Sequence, residues 1–238
     1  MSEMDINNTF FRQSGWIDPE ILQETKVMVV GCGSVGSKIC TTLAKQGIGH
    51  FVLVDFDDVE EHNLPNQFFI RKEIGMQKVD ALKNRIEEFS PGKAVITTHN
   101  TKFPYKDCEK DMEDCDFIIL GLDNHAARKE VFKKVSKTKK ILIDGRTGGR
   151  NCGVFYVEPK NIEKWAKTLN KKASDVDCTM QSIIFNLDFV SGTVSSMIFN
   201  HLIKESHLNP YMIEMNTGAF QTRLEFDKKE IIQQMKNL

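Results

Sequence analysis

Apolar residues occur along this chain in short continuous runs, separated by stretches in which they recur every three or four positions. Continuous β-branched runs are typical of strands buried on both faces, and the longer spacing is typical of helices packed against such strands. Strands are predicted near positions 27, 51, 94, 117 and 141, and helices over about 34–46, 75–89 and 124–137. This alternation predicts an α/β fold with a doubly wound, mostly parallel, Rossmann-like sheet.

The pattern changes after Gly153. A strand-like VFYVEP is followed by a polar segment, 164–177, which we interpret as a mobile crossover loop, and then by an apolar helix over about 182–203. Two further strand-like runs, YMIEMN and QTRLEF, are joined by a short turn that contains Gly218 and predict a hairpin. We therefore expect a C-terminal antiparallel extension of the sheet.

A glycine turn lies between the first predicted strand and the first predicted helix. Gly31 permits a tight turn, Gly33 lets backbone amides approach phosphate oxygens, and Gly36 lets the helix pack closely on the strand. Asp55 follows the next apolar run at about the 20-residue offset at which an acid reaches ribose hydroxyls. The turn and the acid together predict a bound adenine nucleotide, with a purely structural glycine turn as the alternative.

A dense polar run follows Asp55, where a dinucleotide dehydrogenase usually returns to ordinary helix. Its members are amides, acids and cations: Asp57, Asp58, Asn63, Asn66, Gln67, Arg71 and Lys78. Cations and amides beside a phosphate-facing turn are what a triphosphate needs, since its charge must be balanced before any group can attack it. The alternative is a solvated loop of surface charges.

Several motifs, in order, resemble the ThiF/MoeB/HesA family and the adenylation domain of ubiquitin-activating (E1-like) enzymes. They are FFRQSG at 10–15, GCGSVG at 31–36, D-x-D-x-V at 55–59, NL-x-x-Q at 63–67, IG-x-x-K at 74–78, LDN at 122–124 with Arg128, and DGRTGG at 144–149. The resemblance spans most of the chain. It implies a single adenylation domain over 1–238, with an arginine-bearing segment (1–25), a nucleotide-binding core (26–150) and a crossover loop, helix and hairpin (151–238).

The resemblance also implies roles for individual residues. The nucleotide site would comprise Gly31, Gly33, Gly36, Asp55, Asp57, Asn63, Gln67, Arg71, Lys78, Leu122 and Asn124. Of these, Asp55 would hold the ribose, and Asn63, Gln67 and Lys78 would face the phosphates of ATP. Asp123 would hold Mg²⁺. Arg12 resembles an arginine that reaches the γ-phosphate of the opposite protomer, which implies a homodimer with composite sites.

One position departs from the family pattern. The family usually carries arginine immediately before the glutamine, and this chain has Asn66 there. Asparagine cannot supply that charge. We expect Arg71, four residues after Gln67, to point back into the same pocket. Without it the chain would bind ATP poorly.

The six cysteines include no C-x-x-C pair, so we expect no structural zinc. Cys178 lies before the long predicted helix and resembles the family's catalytic cysteine, whose thiol accepts the activated acyl group as a thioester. Asp175 and Asp177 would raise the pKa of that thiol, so an inert cysteine remains the alternative. Cys32 and Cys40 are predicted to be packing residues.

Composition narrows the classes of function. The chain has 32 basic and 33 acidic residues, a formal net charge of -1, so nothing favours a nucleic-acid substrate. No run of about 18 apolar residues predicts a membrane span. The N-terminal MSEMDINN resembles neither a secretion signal nor a transit segment, and we expect a cytoplasmic protein with reduced thiols.

Three classes of function compete. The first is an ATP-dependent adenylyltransferase that activates the C-terminal carboxylate of a ubiquitin-like or sulfur-carrier protein, or of a peptide, as an acyl-adenylate with release of pyrophosphate. The second is a non-catalytic partner subunit, which Asn66 favours and which Lys78 and Asp123 oppose. The third is an NAD-dependent oxidoreductase, which explains the glycines and Asp55 but not the polar run.

Overall fold

The computed structural model describes residues 6–170 and 183–226, and its core is one eight-stranded sheet. The strands are β1 Lys26–Val30, β2 His50–Asp55, β3 Val95–Asn100, β4 Phe117–Leu120, β5 Ile141–Gly148, β6 Asn151–Val157, β7 Met212–Asn216 and β8 Gln221–Glu225. The helices of these ranges are α1 Ile6–Thr9, α2 Pro19–Glu24, α3 Ser34–Gln46, α4 Lys78–Phe89, α5 Cys108–Asp114, α6 His125–Val135, α7 Ile162–Lys167 and α8 Ile184–Leu202.

The strand order is β3-β2-β1-β4-β5-β6-β7-β8. The first five strands in that order are parallel, and β6, β7 and β8 continue the sheet as antiparallel neighbours. Chain order reverses between β1 and β4, since β2 and β3 lie on one side of β1 and β4 on the other. In such sheets the ligand crevice lies at the carboxyl ends of the strands at this switch point.

Two apolar cores cover the two faces of the sheet, as strands buried on both faces require. On one face α3, α4 and α8 pack through side chains such as Leu43, Leu82 and Val190. On the other face α5, α6 and α7 contribute Met112, Val131 and Trp165. The prediction of a doubly wound sheet with an antiparallel extension is confirmed.

Besides the short α1 and α2, two helices that pack on the sheet were not predicted from the sequence. The first, α5, was not predicted because its apolar stripe consists of Cys108 and Met112 alone, which is too short for a periodic signal. The second, α7, occupies the beginning of the segment that we interpreted as a loop, and it is held by one fully buried side chain, Trp165. Within the described ranges, no helix has the length and hydropathy needed to cross a bilayer.

Candidate functional site

The glycine turn joins β1 to α3 at the switch point, and three glycines meet there. Gly31 has a positive φ of 91°, which disfavours any side chain. A Cβ on Gly36 would lie 1.8 Å from the carbonyl oxygen of Gly31, and one on Gly121 would lie 2.6 Å from the same oxygen. By contrast, a Cβ on Gly33 would meet nothing within 4 Å. The turn therefore packs tightly on its inner side and leaves the Gly33 backbone open to the crevice.

The Asp55 carboxylate is tied to this turn. Its Oδ2 accepts a hydrogen bond from the Cys32 N–H at 2.6 Å, and its Oδ1 accepts one from the Asp57 N–H at 2.9 Å. Burial raises the pKa of Asp55 above its ordinary value, in spite of these two hydrogen bonds. Each oxygen keeps a further lone pair for an incoming hydroxyl. Asp55 thus shapes the turn and also presents acceptors to the crevice.

Lys78 is the first residue of α4, and it is buried beside Asp57. Its backbone N–H donates to the Asp57 carbonyl at 2.9 Å, and its ammonium Nζ lies 3.0 Å from Asp57 Oδ2. The side chain of Lys78 is 8% exposed, whereas that of Asp57 is 48% exposed. A buried cation with a half-exposed partner can exchange that partner for another anion.

Gln67 brings an unsatisfied amide into the same region. Its Oε1 is buried and has no hydrogen-bond partner within the described part of the chain. A buried acceptor that makes no hydrogen bond costs about 1–3 kcal/mol. Rotation of the amide by half a turn presents Nε2 at the same place, so Gln67 can meet a hydroxyl or a phosphate oxygen. This orphan amide indicates a site that is completed by a ligand.

The residues that follow the carboxyl end of β4 form the opposite wall of the crevice. Asn124 caps α6, its Oδ1 accepting from the Ala127 N–H at 2.8 Å, while its Nδ2 donates to Asp123 Oδ1 at 2.8 Å. Asp123 is exposed at the head of this helix. Mg²⁺ in proteins is commonly held by one or two carboxylates together with substrate phosphates, and Asp123 fits that role. Among the described residues no group of three His, Cys, Asp or Glu side chains could hold a metal without a substrate.

A buried ion cluster supports this wall from beneath. The Nε of Arg128 donates to Asp144 Oδ1 at 2.9 Å, and its Nη2 donates to the Leu122 carbonyl at 2.7 Å. Asp144 Oδ2 also accepts from Arg146 Nε at 2.7 Å and from Trp165 Nε1 at 3.0 Å. Burial would raise the pKa of Asp144, but the two arginines outweigh burial and hold that pKa below its ordinary value. The backbone beside Asp123 is therefore fixed by a carboxylate that stays ionised.

These groups line one cavity of about 400 Å³, within the usual range for small-molecule sites. Nine of the predicted site residues lie on its wall: Gly31, Gly33, Asp55, Asp57, Gln67, Lys78, Leu122, Asp123 and Asn124. Gly36 acts from behind the wall through its packing on Gly31.

Four predicted residues lie elsewhere or outside the described ranges. Asn63 is buried, but its Oδ1 accepts from the Glu60 N–H at 2.9 Å, so it braces the loop and does not line the cavity. Arg71 differs from our expectation, because on its short 3₁₀ turn it points to solvent and its Nη1 lies 3.5 Å from Glu61 Oε1. Arg12 is exposed away from the cavity. Cys178 falls outside the described residues.

Sequence reasoning missed part of the wall. The cavity is also lined by Ser34, Phe56, Thr101, Lys102, Phe103, Gly121 and Ala127. Lys102 lies with its Nζ 4.5 Å from the centroid of the Phe56 ring, where it adds a second cation beside Lys78. A signal existed, because a strand was predicted near position 94, and in a parallel sheet the residues after the carboxyl end of each strand lie at the same edge.

Cys32 and Cys40 are packing residues, as predicted. Both are fully buried, and burial raises the pKa of each thiol. Neither is poised as a nucleophile, because the reactive form is the thiolate.

A parallel sheet whose switch point carries a glycine turn, a buried acid and a buried lysine defines the class of Rossmann-like α/β domains with a nucleotide-type crevice. Within that class the chain belongs to the ThiF family, whose sequence profile matches residues 8–232. This confirms the family that the motifs resemble.

Similar proteins agree with this assignment. Adenylyltransferase and sulfurtransferase MOCS3 of Culex quinquefasciatus is 30% identical over 125 residues, which are 52% of this chain and 28% of that protein. The chain thus spans less than a third of this relative. The crystal structure of PaaA superimposes with a TM-score of 0.75 at 20% identity, covering 94% of this chain and 74% of the other. Escherichia coli MccB with ATP gives 0.71 at 16% identity, covering 94% and 72%. Both confirm the fold class.

Proposed function

We propose that this chain is an E1-like adenylyltransferase, which uses ATP to activate the C-terminal carboxylate of a ubiquitin-like or sulfur-carrier protein, or of a peptide. The observation that carries the proposal is the buried Lys78, placed in one cavity with the glycine turn, the orphan amide of Gln67 and the carboxylate of Asp123. The similarity to MOCS3, which is named an adenylyltransferase and sulfurtransferase, supports the same reaction.

The chemistry is an in-line displacement at the α-phosphorus. A carboxylate oxygen forms a bond to phosphorus, the bond from phosphorus to the bridging oxygen breaks, and pyrophosphate leaves with that electron pair. Because two anions repel, the site must neutralise the polyphosphate before attack. Lys78 supplies one positive charge, and the Gly33 backbone and the N-terminus of α3 supply N–H dipoles. No general base is needed, since the attacking carboxylate carries no proton at neutral pH.

Mg²⁺ would be held by Asp123 together with phosphate oxygens, and it would supply charge neutralisation. The chain's own contribution here is rigidity. Asn124 caps α6 and donates to Asp123, while Arg128 fixes the Leu122 carbonyl. These contacts hold the metal carboxylate in one orientation.

The proposal includes a homodimer in which Arg12 reaches the γ-phosphate of the opposite protomer. Arg12 is exposed and lies outside the cavity of its own chain, as an arginine that acts in a second protomer must. Phe11 and Trp16, both more than 70% exposed, flank it and offer apolar surface to such a contact. In a proposed second step the Cys178 sulfur forms a bond to the acyl carbon, the bond from that carbon to the phosphate oxygen breaks, AMP leaves with that electron pair, and the thiol proton passes to solvent.

Pyrophosphate exchange into ATP, measured with candidate carrier proteins or peptides, tests the first step. The wild-type chain is expected to catalyse exchange, and Lys78→Ala and Asp123→Ala should each abolish it. Lys72→Ala, an exposed lysine on the same loop, is the matched control and should keep full activity. Loss of activity in the control as well, or retained activity in Lys78→Ala, contradicts the assignment.

A non-catalytic partner subunit is the second candidate, and one observation favours it. Asn66 brings no charge, and Arg71 points to solvent, so the cavity wall carries only two cations, Lys78 and Lys102, among the described residues. A scaffold would bind ATP with an affinity that is unaffected by Mg²⁺ and by Asp123→Ala. Calorimetric titration of ATP with and without Mg²⁺ separates the two candidates.

A further inference from the structure

A second concave surface lies beside the nucleotide cavity, over the antiparallel part of the sheet. Cross-strand register places Arg146, Gly153, Glu214 and Arg223 in one row on one face of β5 to β8. Two adjoining cavities of about 740 Å³ and about 450 Å³ share Arg146, Phe155, Glu214 and Arg223. We call this surface the trough, and its rim is formed by Lys164 and Lys167 of α7 and by Thr168 directly after that helix.

The trough adjoins the nucleotide cavity. His125, which lines the trough, directly follows Asn124 of the cavity wall, and its Nδ1 lies 3.1 Å from the Leu169 carbonyl just after α7. Arg128 connects the nucleotide cavity with the trough. It donates to the carbonyl of Leu122, which lines the cavity, and to Asp144, which is the partner of Arg146 in the trough. A chain lying in the trough would therefore bring one end to the cavity mouth.

The floor of the trough suits an extended peptide. Gly153 has no side chain, so the floor of the trough is low at this position. A Cβ added to Gly153 would lie 3.2 Å from the Cγ of Glu214. A further row on the same face consists of amides and a glycine, Gly148, Asn151, Asn216 and Gln221. Side-chain amides can donate to and accept from a peptide backbone.

The charged side chains that line the trough determine which kind of peptide it can bind. Four cations line the trough, Arg146, Lys164, Lys167 and Arg223, against two carboxylates, Glu214 and Glu225. Lys164 Nζ is paired with Glu225 at 2.8 Å. Arg146 shares its buried carboxylate partner with Arg128, so one positive charge of that cluster is uncompensated. Lys167 is exposed on the rim and adds another. The trough is positive in a chain whose formal net charge is -1.

We infer that the trough binds the tail of the acyl substrate and selects tails that carry acidic side chains ahead of the terminal carboxylate. This inference rests on the proposed function and deepens it by naming the charge class of the substrate. Arg146, Lys167 and Arg223 face the acidic side chains, while the terminal carboxylate continues toward Asn124 and the nucleotide cavity.

Fluorescence anisotropy tests binding without requiring catalysis. The probes are short labelled peptides with a free terminal carboxylate that differ only in whether the preceding residues are acidic, neutral or basic. The acidic peptide is expected to bind the wild-type chain most tightly, and its advantage should shrink as salt is raised. Lys167→Glu and Arg223→Glu should each weaken the acidic peptide about fivefold at low salt, as expected for loss of one exposed charge pair.

Lys139→Glu is the matched control, since it reverses an exposed lysine at the opposite, amino-terminal end of β5. It should leave the acidic preference unchanged. The double variant Lys167→Glu/Arg223→Glu should prefer the basic peptide. Equal binding of the three peptides, no binding of any of them, or the same loss in Lys139→Glu overturns the inference.

Pyrophosphate exchange with the same peptides separates this inference from the proposed function. Exchange that is equally fast with acidic and neutral peptides overturns the charge selection and leaves adenylation standing. A measured acidic preference in anisotropy without exchange for any peptide or carrier supports the trough and removes the proposed activity.

Discussion

The ion cluster beneath the site gives the sharpest prediction, since Asp144 is fully buried and is the shared carboxylate partner of Arg128 and Arg146. In Asp144→Asn the side chain keeps nearly the same volume but loses its charge. Its amide also places an N–H₂ group against donors from Arg128, Arg146 and Trp165. The variant therefore leaves buried cations without a counter-ion in an otherwise unchanged space.

Breaking a buried ion pair by removal of one partner costs about 3–5 kcal/mol. A domain of this kind has a free energy of unfolding of about 5–15 kcal/mol, so a large share would be lost. For this chain length a loss of that size corresponds to a fall in melting temperature of about 6–20 °C. Urea unfolding followed by circular dichroism measures the change directly.

Asp188→Asn is the control for this experiment. Asp188 Oδ1 lies 2.7 Å from Lys38 Nζ, so this pair is as close as those of Asp144, but the Asp188 side chain is 59% exposed. An exposed pair is worth about 1 kcal/mol or less. If Asp144→Asn costs no more than Asp188→Asn, the argument that burial makes the Asp144 cluster essential is refuted.

The difference in unfolding free energy between the wild type and Asp144→Asn is also expected to depend on pH. The folded-state pKa of Asp144 lies below its ordinary value of 3.8, so its stabilisation is fully present above that pH. As pH falls through the lower folded pKa the carboxylate is protonated and the stabilisation is lost. The difference in unfolding free energy between wild type and Asp144→Asn should hold steady from pH 7 down to about 5 and shrink only in strong acid. A difference that shrinks near neutrality contradicts this assignment.

Three further predictions concern the turn, the α6 cap and the thiols. Gly36→Ala should cost about 1–3 kcal/mol and remove ATP binding in calorimetry, since its Cβ would meet a backbone carbonyl at 1.8 Å. Gly192→Ala, at an exposed position of α8, should be neutral or stabilising, and equal effects of the two substitutions would contradict the packing argument. Asn124→Ala should cost about 1 kcal/mol in urea unfolding through loss of the cap, and an unchanged midpoint would argue against it. Iodoacetamide on the native protein, mapped by mass spectrometry, should leave unmodified the buried cysteines, Cys32, Cys40, Cys108, Cys115 and Cys152. Their rapid labelling before unfolding would show that these thiols are not buried in solution.

The sheet and most of the cavity wall could be predicted because their signals are local. Strands buried on both faces produce continuous apolar runs, and a glycine turn followed by an acid occurs at a fixed spacing. The weaker helices could not be predicted, since α5 and α7 are each held by one or two buried side chains. Periodicity needs several such residues before it becomes visible.

The missed and misplaced site residues have a different cause. Lys102 and Phe56 carry no motif, and only the pairing of β2 with β3 brings them together. Arg71 was placed by sequence distance from Gln67, but side-chain direction on a one-turn 3₁₀ segment depends on backbone geometry that spacing does not encode. Asn63 lies where its motif predicted a polar residue, but its amide is used by the loop that carries it.

The ion pair between Lys78 and Asp57 bears on the choice between an enzyme and a scaffold. A structural ion pair would account for the buried ammonium by itself, since Asp57 satisfies its charge. It gives no role to the asymmetry of exposure, in which the half-exposed Asp57 can turn to solvent while Lys78 stays in the cavity wall. Nor would it account for Gln67, whose buried Oε1 has no partner among the described residues. Both features follow if a polyphosphate replaces Asp57 as the partner of Lys78. Asp57 then moves into solvent, Lys78 keeps an anionic partner, and the Gln67 amide gains a hydrogen-bond partner from the same ligand.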